Sequence, residues 1–366
     1  MDISDPKITF DAEGICNHCR AYDVMIKNNV FSGDPGKRKL DTIVNKIKAD
    51  GKKKEYDCII GVSGGVDSSY VAYLTKKLHL RPLAVHLDNG WDSEISVRNI
   101  ENLLDKLDID LYTNVLDWDE FKDLQLAFLK ASTPDSEIPS DHAIVASVYK
   151  KAKELGVRHI IMGYNTKTET HLPQSWSQGH FDWRYIKSIH SLFGTVPLRT
   201  FPHFTYFQWI KFQREFNRLL ILNCVDYVKE DAMKILKEEL NWTYYGGKHS
   251  ESIYTRFYQG YILPRKFGFD KRKSHFSSLI CSGEMKREDA LAELKESPYP
   301  LDQIENDKKF VINKLDISEE EFEKIMNLPC KAFKDYPSYE KMFTPLTNSV
   351  MYPVLRFFYK TYTHKK

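Results

Sequence analysis

The chain has 366 residues with 53 basic against 51 acidic side chains, a near-neutral balance that disfavours a dedicated nucleic-acid binder while leaving room for a local basic patch. No apolar run reaches the length needed to cross a bilayer, and Met1-Asp2-Ile3-Ser4-Asp5-Pro6 lacks the basic start and apolar core of a signal peptide. A cytoplasmic protein without a transmembrane segment is expected, with its six cysteines as reduced thiols.

Residues 1–50 read as an appended arm. Cys16 and Cys19 form a Cys-x-x-Cys knuckle, a spacing that lets both thiolates reach one Zn²⁺ from a tight turn. His18 lies inside that turn and is expected to point away. A zinc site needs four ligands and the sequence supplies no second such pair, so the other two stay unassigned, with a redox pair and free thiols as the alternatives. After Gly33-Asp34-Pro35-Gly36, the apolar positions Leu40, Ile43, Val44 and Ile47 recur at helical spacing. Cys58 and Cys224 read as small buried apolar residues.

The run Tyr56 to Val62 reads as a strand, and Ser63-Gly64-Gly65-Val66-Asp67-Ser68 follows it at the start of a helical pattern. Gly64 and Gly65 allow a sharp turn and close approach to a ligand. The Ser63 and Ser68 hydroxyls and the free amides of the next helix suit an anion. The spacing fits neither a Walker loop nor a dinucleotide fingerprint. A carboxylate beside phosphate needs a divalent cation between them, so Asp67 makes this a pyrophosphate site with Mg²⁺. The alternative is an ordinary Gly-Gly turn capped by Ser63.

Helix and strand then alternate. Val71, Leu74 and Leu78 line a helix, 82–88 a strand, Ile100, Leu103, Leu104 and Leu107 a helix, 111–116 a strand. Ile144, Val148, Ala152 and Leu155 line a further helix before the strand 159–163. This predicts an α/β fold, a parallel sheet with helices on both faces, whose ligands bind at the carboxyl ends of the strands. His86 and Asp88 share one strand face and read either as nucleotide-lining residues, with Asp88 near the ribose or metal, or as strand-end polarity. Gly163 and Asn165 lie at another strand end.

From about 190 the alternation is expected to give way to a mainly α-helical region. The aromatic group Phe201, Phe204, Tyr206, Phe207, Trp209 and Phe212 reads as core packing, with sugar stacking as the alternative. The apolar, basic stretch 354–360 either folds back on its own domain or docks on a partner. The predicted division is a knuckle arm at 1–50, an ATP-handling α/β domain at 51–190 and a mainly helical substrate or partner region at 191–366.

The Ser-Gly-Gly-x-Asp-Ser loop after a buried strand resembles that of the ATP pyrophosphatase (PP-loop) superfamily, with its adenine nucleotide alpha hydrolase-like fold, over roughly residues 55–170. Glu169 follows Gly163 where related enzymes often carry acidic residues, whereas Lys167 stands where an aspartate is expected. Four further stretches resemble the N-acetyl sugar amidotransferases of bacterial lipopolysaccharide, O-antigen and surface-glycan biosynthesis: Pro173-Gln174-Ser175-Trp176, Asp182 to His190, Tyr245-Gly246-Gly247-Lys248-His249-Ser250-Glu251-Ser252, and Phe267 to His275. The N-terminal Gly14 to Cys19 adds to them, so that the resemblance spans nearly the whole chain.

It implies conversion of an acetamido group on a nucleotide-linked N-acetyl sugar to an acetamidino group, using ATP, Mg²⁺ and ammonia through an adenylated imidate. The implied nucleotide-binding residues are Ser63, Gly64, Gly65, Val66, Asp67, Ser68, His86, Asp88, Gly163 and Asn165. Lys248, Lys271 and Arg272 join Ser63, Asp67 and Ser68 as catalytic candidates, with a solvated basic face as the alternative for the cationic cluster. Asp182, Trp183, Arg184, His249, Glu251 and Lys266 are candidates for substrate binding, His249 and Glu251 as proton acceptors for ammonia. No cysteine follows Met1, and Cys281 lacks the surroundings of a nucleophile elbow. Ammonia is therefore expected from a separate glutaminase accompanied by a cyclase-like subunit. The competing reading is a PP-loop tRNA-modifying enzyme of the thiolation or lysidine type, which predicts tight, salt-sensitive RNA binding.

Overall fold

The structure, a computed structural model, describes residues 1–247 and 251–340. Helices α1 (Asn17–Asn29) and α2 (Gly33–Gly51) precede β1 (Cys58–Gly61), α3 (Val66–Lys77), β2 (Pro82–Asp88), α4 (Glu94–Leu107) and β3 (Leu111–Val115). Next come α5 (Trp118–Ala131), α6 (Ile138–Glu154), β4 (His159–Ile161), α7 (Trp183–Phe193), α8 (Tyr206–Glu215), β5 (Asn217–Leu219) and α9 (Lys229–Leu240). The remainder is helical: α10 (Ile253–Phe257) runs into a π-helical Tyr258–Phe267, then α11 (Arg272–Ser282), α12 (Arg287–Glu293), α13 (Leu301–Leu315) and α14 (Glu319–Met326).

The sheet is parallel throughout, in the order β3-β2-β1-β4-β5. Helices cover both faces, which is why Cys58, Ile59 and Ile60 of β1 are all fully buried and read as a continuous apolar run. One face packs on α2, α3, α4 and α9 through Ile47, Val71, Leu103 and Leu236. The other packs on α6 and α8 through Ala146, Tyr149, Phe204 and Phe212. A third core joins α5 and α7 to the C-terminal helices through Phe121, Phe128, Tyr185, Phe257 and Phe322. Strand order reverses between β1 and β4, so the crevice at their carboxyl ends is the position where such sheets bind ligands.

The sheet extends beyond residue 190, because β5 joins its edge; three residues are too few to leave a period in the sequence. Helix α5 also escapes sequence periodicity. Phe121, Leu124, Ala127, Phe128, Leu129 and Ala131 are all buried, so no single stripe marks a face. α2, read as part of the arm, supplies Leu40, Val44 and Ile47 to the sheet's core. The aromatic group after 200 is mostly packing: Phe204 and Phe212 sit in the core with Tyr149, while Phe207 is exposed. Among the described residues no helix is long and apolar enough to cross a membrane.

Candidate active site

The 63–68 loop leaves β1 at the reversal point. Gly64 has φ +76°, and a side chain there would meet the Ser96 carbonyl oxygen at 2.6 Å, so α4 presses on the loop where only glycine fits. The Gly64 carbonyl accepts from Trp242 Nε1 at 2.9 Å, which straps the loop from the segment after α9. Gly65 N donates to Ser63 Oγ at 3.3 Å, and the two serine hydroxyls lie 3.2 Å apart. Ser63 and Ser68 line a cavity of about 1910 Å³. Gly163 comes close behind, since a side chain there would stand 3.1 Å from the Ser68 backbone; it also lines the cavity. The N-terminus of α3 and these hydroxyls make an anion cradle.

Asp67 lies beneath the loop. Its Oδ1 accepts from the Tyr227 hydroxyl and, at 3.4 Å, from Asn165 Nδ2. Asn165 is itself buried and tied to Thr168, so Asn165 holds the carboxylate rather than lining the cavity. Val66 is buried, and its amide donates to Tyr245 Oη at 3.3 Å. Mg²⁺ commonly keeps several waters and takes one or two carboxylates alongside phosphate oxygens. Asp67 itself is absent from the cavity lining, but a single oriented carboxylate beside the cradle is the donor type that ion takes. Lys167 and Glu169 both line the cavity.

His86 lines the cavity with its ring fixed on both nitrogens, Nδ1 2.9 Å from the Val62 carbonyl and Nε2 3.1 Å from Asp92 Oδ2. Burial alone would lower its pKa, but Asp92 outweighs that and raises it. Asp88 is different. Its carboxylate accepts from Gly90 N at 2.8 Å, capping the turn after β2, and it is absent from the cavity lining, which holds Asp92 instead.

Another part of the cavity wall is built by side chains from distant segments. Lys271 Nζ stands 3.6 Å from Glu137 Oε2. Glu137 also accepts from Gln259 at 3.0 Å. His180 Nε2 lies 3.4 Å from Asp135 and 3.3 Å from Asp141, and 3.0 Å from Ser177 Oγ. Burial opposes the charge on His180, yet the two aspartates lift its pKa to about 9. Enclosure within the cavity raises Asp141 to about 6 although about half of its side-chain surface stays exposed, with Asp135 and Glu137 pushing the same way against His180 and Lys271. Burial likewise opposes the charge on Lys271, and Glu137, Asp135 and Asp141 raise its pKa nonetheless. At neutral pH this is a dense charge network of two cations among three carboxylates.

Sequence reasoning found Lys271 here and missed Asp135, Glu137, Asp141, Ser177 and His180. The signal was present as three acidic residues within seven positions, around Pro139 at the start of α6. Glu137 and Asp141, four apart, share a helical face.

Several expected substrate residues are used otherwise. Asp182 caps α7 by accepting from Tyr185 N at 2.9 Å and also accepts from Tyr339 N at 2.8 Å. Trp183 stacks on His203 with centroids 4.1 Å apart. Neither they nor the exposed Arg184 line the cavity; His180, just before them, does. Lys266 donates to the carbonyls of Met326 and Leu328 at 3.2 and 3.1 Å. It closes the C-terminus of α14, the end of a helix that favours a cation. Arg272 lines the cavity but is forked onto Asp270 at 3.0 and 2.7 Å. Glu251 lines the cavity near Gly65. Lys248, His249 and the 354–360 stretch lie outside the described residues.

Comparison with known proteins matches residues 251–350 to the family model "LPS biosynthesis protein WbpG-like, C-terminal domain" and residues 37–135 to the NAD synthase model. The chain thus joins an NAD-synthase-like segment to a WbpG-like C-terminal segment. The NAD synthase match covers the loop and ends at Asp135, while the C-terminal match begins at Glu251 and includes Lys271 and Arg272. Among solved structures, the NH3-dependent NAD synthetase from Campylobacter jejuni subsp. jejuni NCTC 11168 is 15% identical with TM-score 0.28. That match covers 37% of this chain and only 59% of the synthetase. The NMN synthetase from Francisella tularensis is 15% identical with TM-score 0.36, covering 77% of this chain and 97% of its own. No curated protein sequence matches significantly.

Proposed function

We propose that the protein is an ATP-dependent, AMP-forming amidotransferase that converts the acetamido group of a nucleotide-linked N-acetyl sugar to an acetamidino group. The observation that carries this reading is that one cavity is lined by Ser63 and Ser68 of the loop and by the Lys271 segment within the WbpG-like match. At about 1910 Å³ it exceeds the roughly 300–1,000 Å³ of an ordinary small-molecule site, which suits ATP and a second large ligand side by side.

An amide carbonyl is a poor electrophile. In this reading the acetamido oxygen attacks the α-phosphorus, forming an O–P bond while the bond to the β-phosphate breaks and pyrophosphate leaves. The amide N–H proton is lost and an imidoyl-adenylate results. The nitrogen lone pair of ammonia then adds to the imidate carbon, the C–O bond breaks, AMP departs and the added nitrogen gives up protons. Ser63, Ser68 and the amides of α3 bind and align the phosphates, and Asp67 is the residue that would hold Mg²⁺, which supplies charge neutralisation there. Lys271 and His180 supply positive charge for the sugar nucleotide, and Glu251 accepts a proton from ammonia. Water has to be kept from the adenylate, which it would return to amide.

Ammonia comes from a partner glutaminase in this account, as no glutaminase nucleophile is evident in the chain. Incubating the purified chain with ATP, a panel of nucleotide-linked N-acetyl sugars and either ammonium or glutamine tests it. AMP, pyrophosphate and the acetamidino product are expected with ammonium and not with glutamine. Product from glutamine by the single chain would overturn the partner requirement, and AMP formation that depends on RNA instead of a sugar would overturn the substrate class.

A further inference from the structure

The knuckle supplies two thiols, and the fold brings two more donors to them from opposite ends of the chain. Cys16 and Cys19 Sγ lie 3.5 Å apart, Cys19 and Cys281 Sγ 4.0 Å, and Cys281 Sγ and His171 Nε2 3.7 Å. The donor atoms of Cys19, His171 and Cys281 all fall within 4.8 Å of one another, and Cys16, outside that group, reaches it through Cys19. A tetrahedral zinc with thiolate and imidazole ligands sets donor–donor edges of roughly 3.5–3.8 Å. The sulfurs are far beyond disulfide bonding distance of about 2.05 Å.

The surroundings are those of a built site. Cys16 is the residue preceding α1 and pairs with Phe10 across a tight turn in which Gly14 adopts φ +76°. One helical turn carries Cys19 round to the same side. His18 is held away from the thiols by Asp5 at 2.7 Å. His171 is buried, stacked on Tyr22 of α1 with centroids 5.1 Å apart, and its Nδ1 is 3.0 Å from Ser278 Oγ of α11. That second-nitrogen contact fixes the ring with Nε2 toward the sulfurs, as the outer partners of metal-bound histidines do.

We propose that Cys16, Cys19, His171 and Cys281 form a four-ligand zinc site that clamps the N-terminal arm and the 167–172 turn onto α11. The site does not depend on the reaction assigned above. Its consequence rests on that reading: the turn carries Lys167 and Glu169, and α11 begins at Arg272 beside Lys271, all of them cavity walls. The clamp therefore sets the distance between the phosphate end and the acceptor end.

The test is metal analysis of the untagged full chain. Wild type is expected to hold about one zinc per chain, and Cys281→Ser and His171→Ala each to fall below about a tenth of that, since losing one ligand removes most of the coupled binding energy. Cys330→Ser, an exposed thiol, should keep it. His171→Cys, which leaves a four-thiolate set, should retain metal. If the single variants do not fold, cobalt exchanged into wild type must show tetrahedral bands with strong thiolate charge transfer. Zinc absent from wild type, full zinc in Cys281→Ser, an iron–sulfur chromophore, or a Cys16–Cys19 disulfide in freshly reduced protein would each overturn the site. A zinc-loaded chain that never forms AMP would overturn the assigned reaction and leave the clamp standing.

Discussion

The two ends of the cavity are made by different means. The part proposed to hold phosphate is backbone: a strand ends, Gly64 turns where Ser96 leaves room for nothing larger, and α3 begins at the crevice. The part proposed to hold the acceptor is side chains, with Asp135, Glu137 and Asp141 from before and within α6, Ser177 and His180 from the long connection before α7, and Lys271 from before α11. A backbone cradle is specified by a short contiguous stretch and tolerates little change. A side-chain network is assembled by topology, and its chemistry depends on which charges the fold brings together.

The largest effect should come from the first kind. Asp67→Asn is expected to lower AMP formation by about a thousandfold while the protein stays folded, because Tyr227 and Asn165 still have a hydrogen-bonding partner; the magnitude is that of lost charge stabilisation in a dry site. Steady-state assays with circular dichroism as the folding control check this. Near-wild-type turnover would remove Asp67 from the site. Ser68→Ala should cost about a hundredfold in kcat, again within the range for one lost donor, and Ser63→Ala a comparable amount. Unchanged rates would mean the hydroxyls serve only each other.

At the acceptor end the expected changes are smaller and depend on pH. Below about 6 Asp141 gains a proton, and above about 9 His180 loses one, so kcat/KM for the sugar should hold a plateau between those values and fall on both sides. The upper limb should disappear in His180→Gln, together with a loss of about tenfold at neutral pH. A profile unchanged by that substitution would separate the network from substrate. Stability follows the same groups. His180 has a folded pKa above its ordinary 6.5, so its contribution is complete below that value and is lost as pH rises through about 9.

The contrast explains what could be read in advance. The loop, β2 and the helix patterns before residue 108 carry their information locally, in glycines, in buried runs and in a 3.6-residue stripe, and they were legible. Lys266, Asp182 and Trp183 lie in stretches of unusual composition, yet they close a helix, cap another and stack on His203. Composition marks that a residue matters without saying whether it matters to a ligand or to the fold. His171 and Cys281 were invisible as partners of Cys16 and Cys19 because more than a hundred residues separate them. His180 was passed over for its neighbours, since only the tertiary fold sets it between two aspartates.

The smallest functional effect should therefore be at Lys266. Lys266→Met is expected to lower stability by about 1 kcal/mol, through unsatisfied helix carbonyls, and to leave KM for ATP and sugar unchanged. Denaturant unfolding and steady-state kinetics separate the two. A raised KM with unchanged stability would return Lys266 to the substrate site.

The central claim, that the acetamido oxygen is activated by AMP, is tested most directly by labelling that oxygen. A nucleotide-linked N-acetyl sugar carrying heavy oxygen in its acetamido carbonyl, turned over with ATP and ammonium, should yield an unlabelled acetamidino sugar and AMP with one heavy oxygen on its phosphate. Label recovered in water or inorganic phosphate, with unlabelled AMP, would contradict adenylation of the sugar.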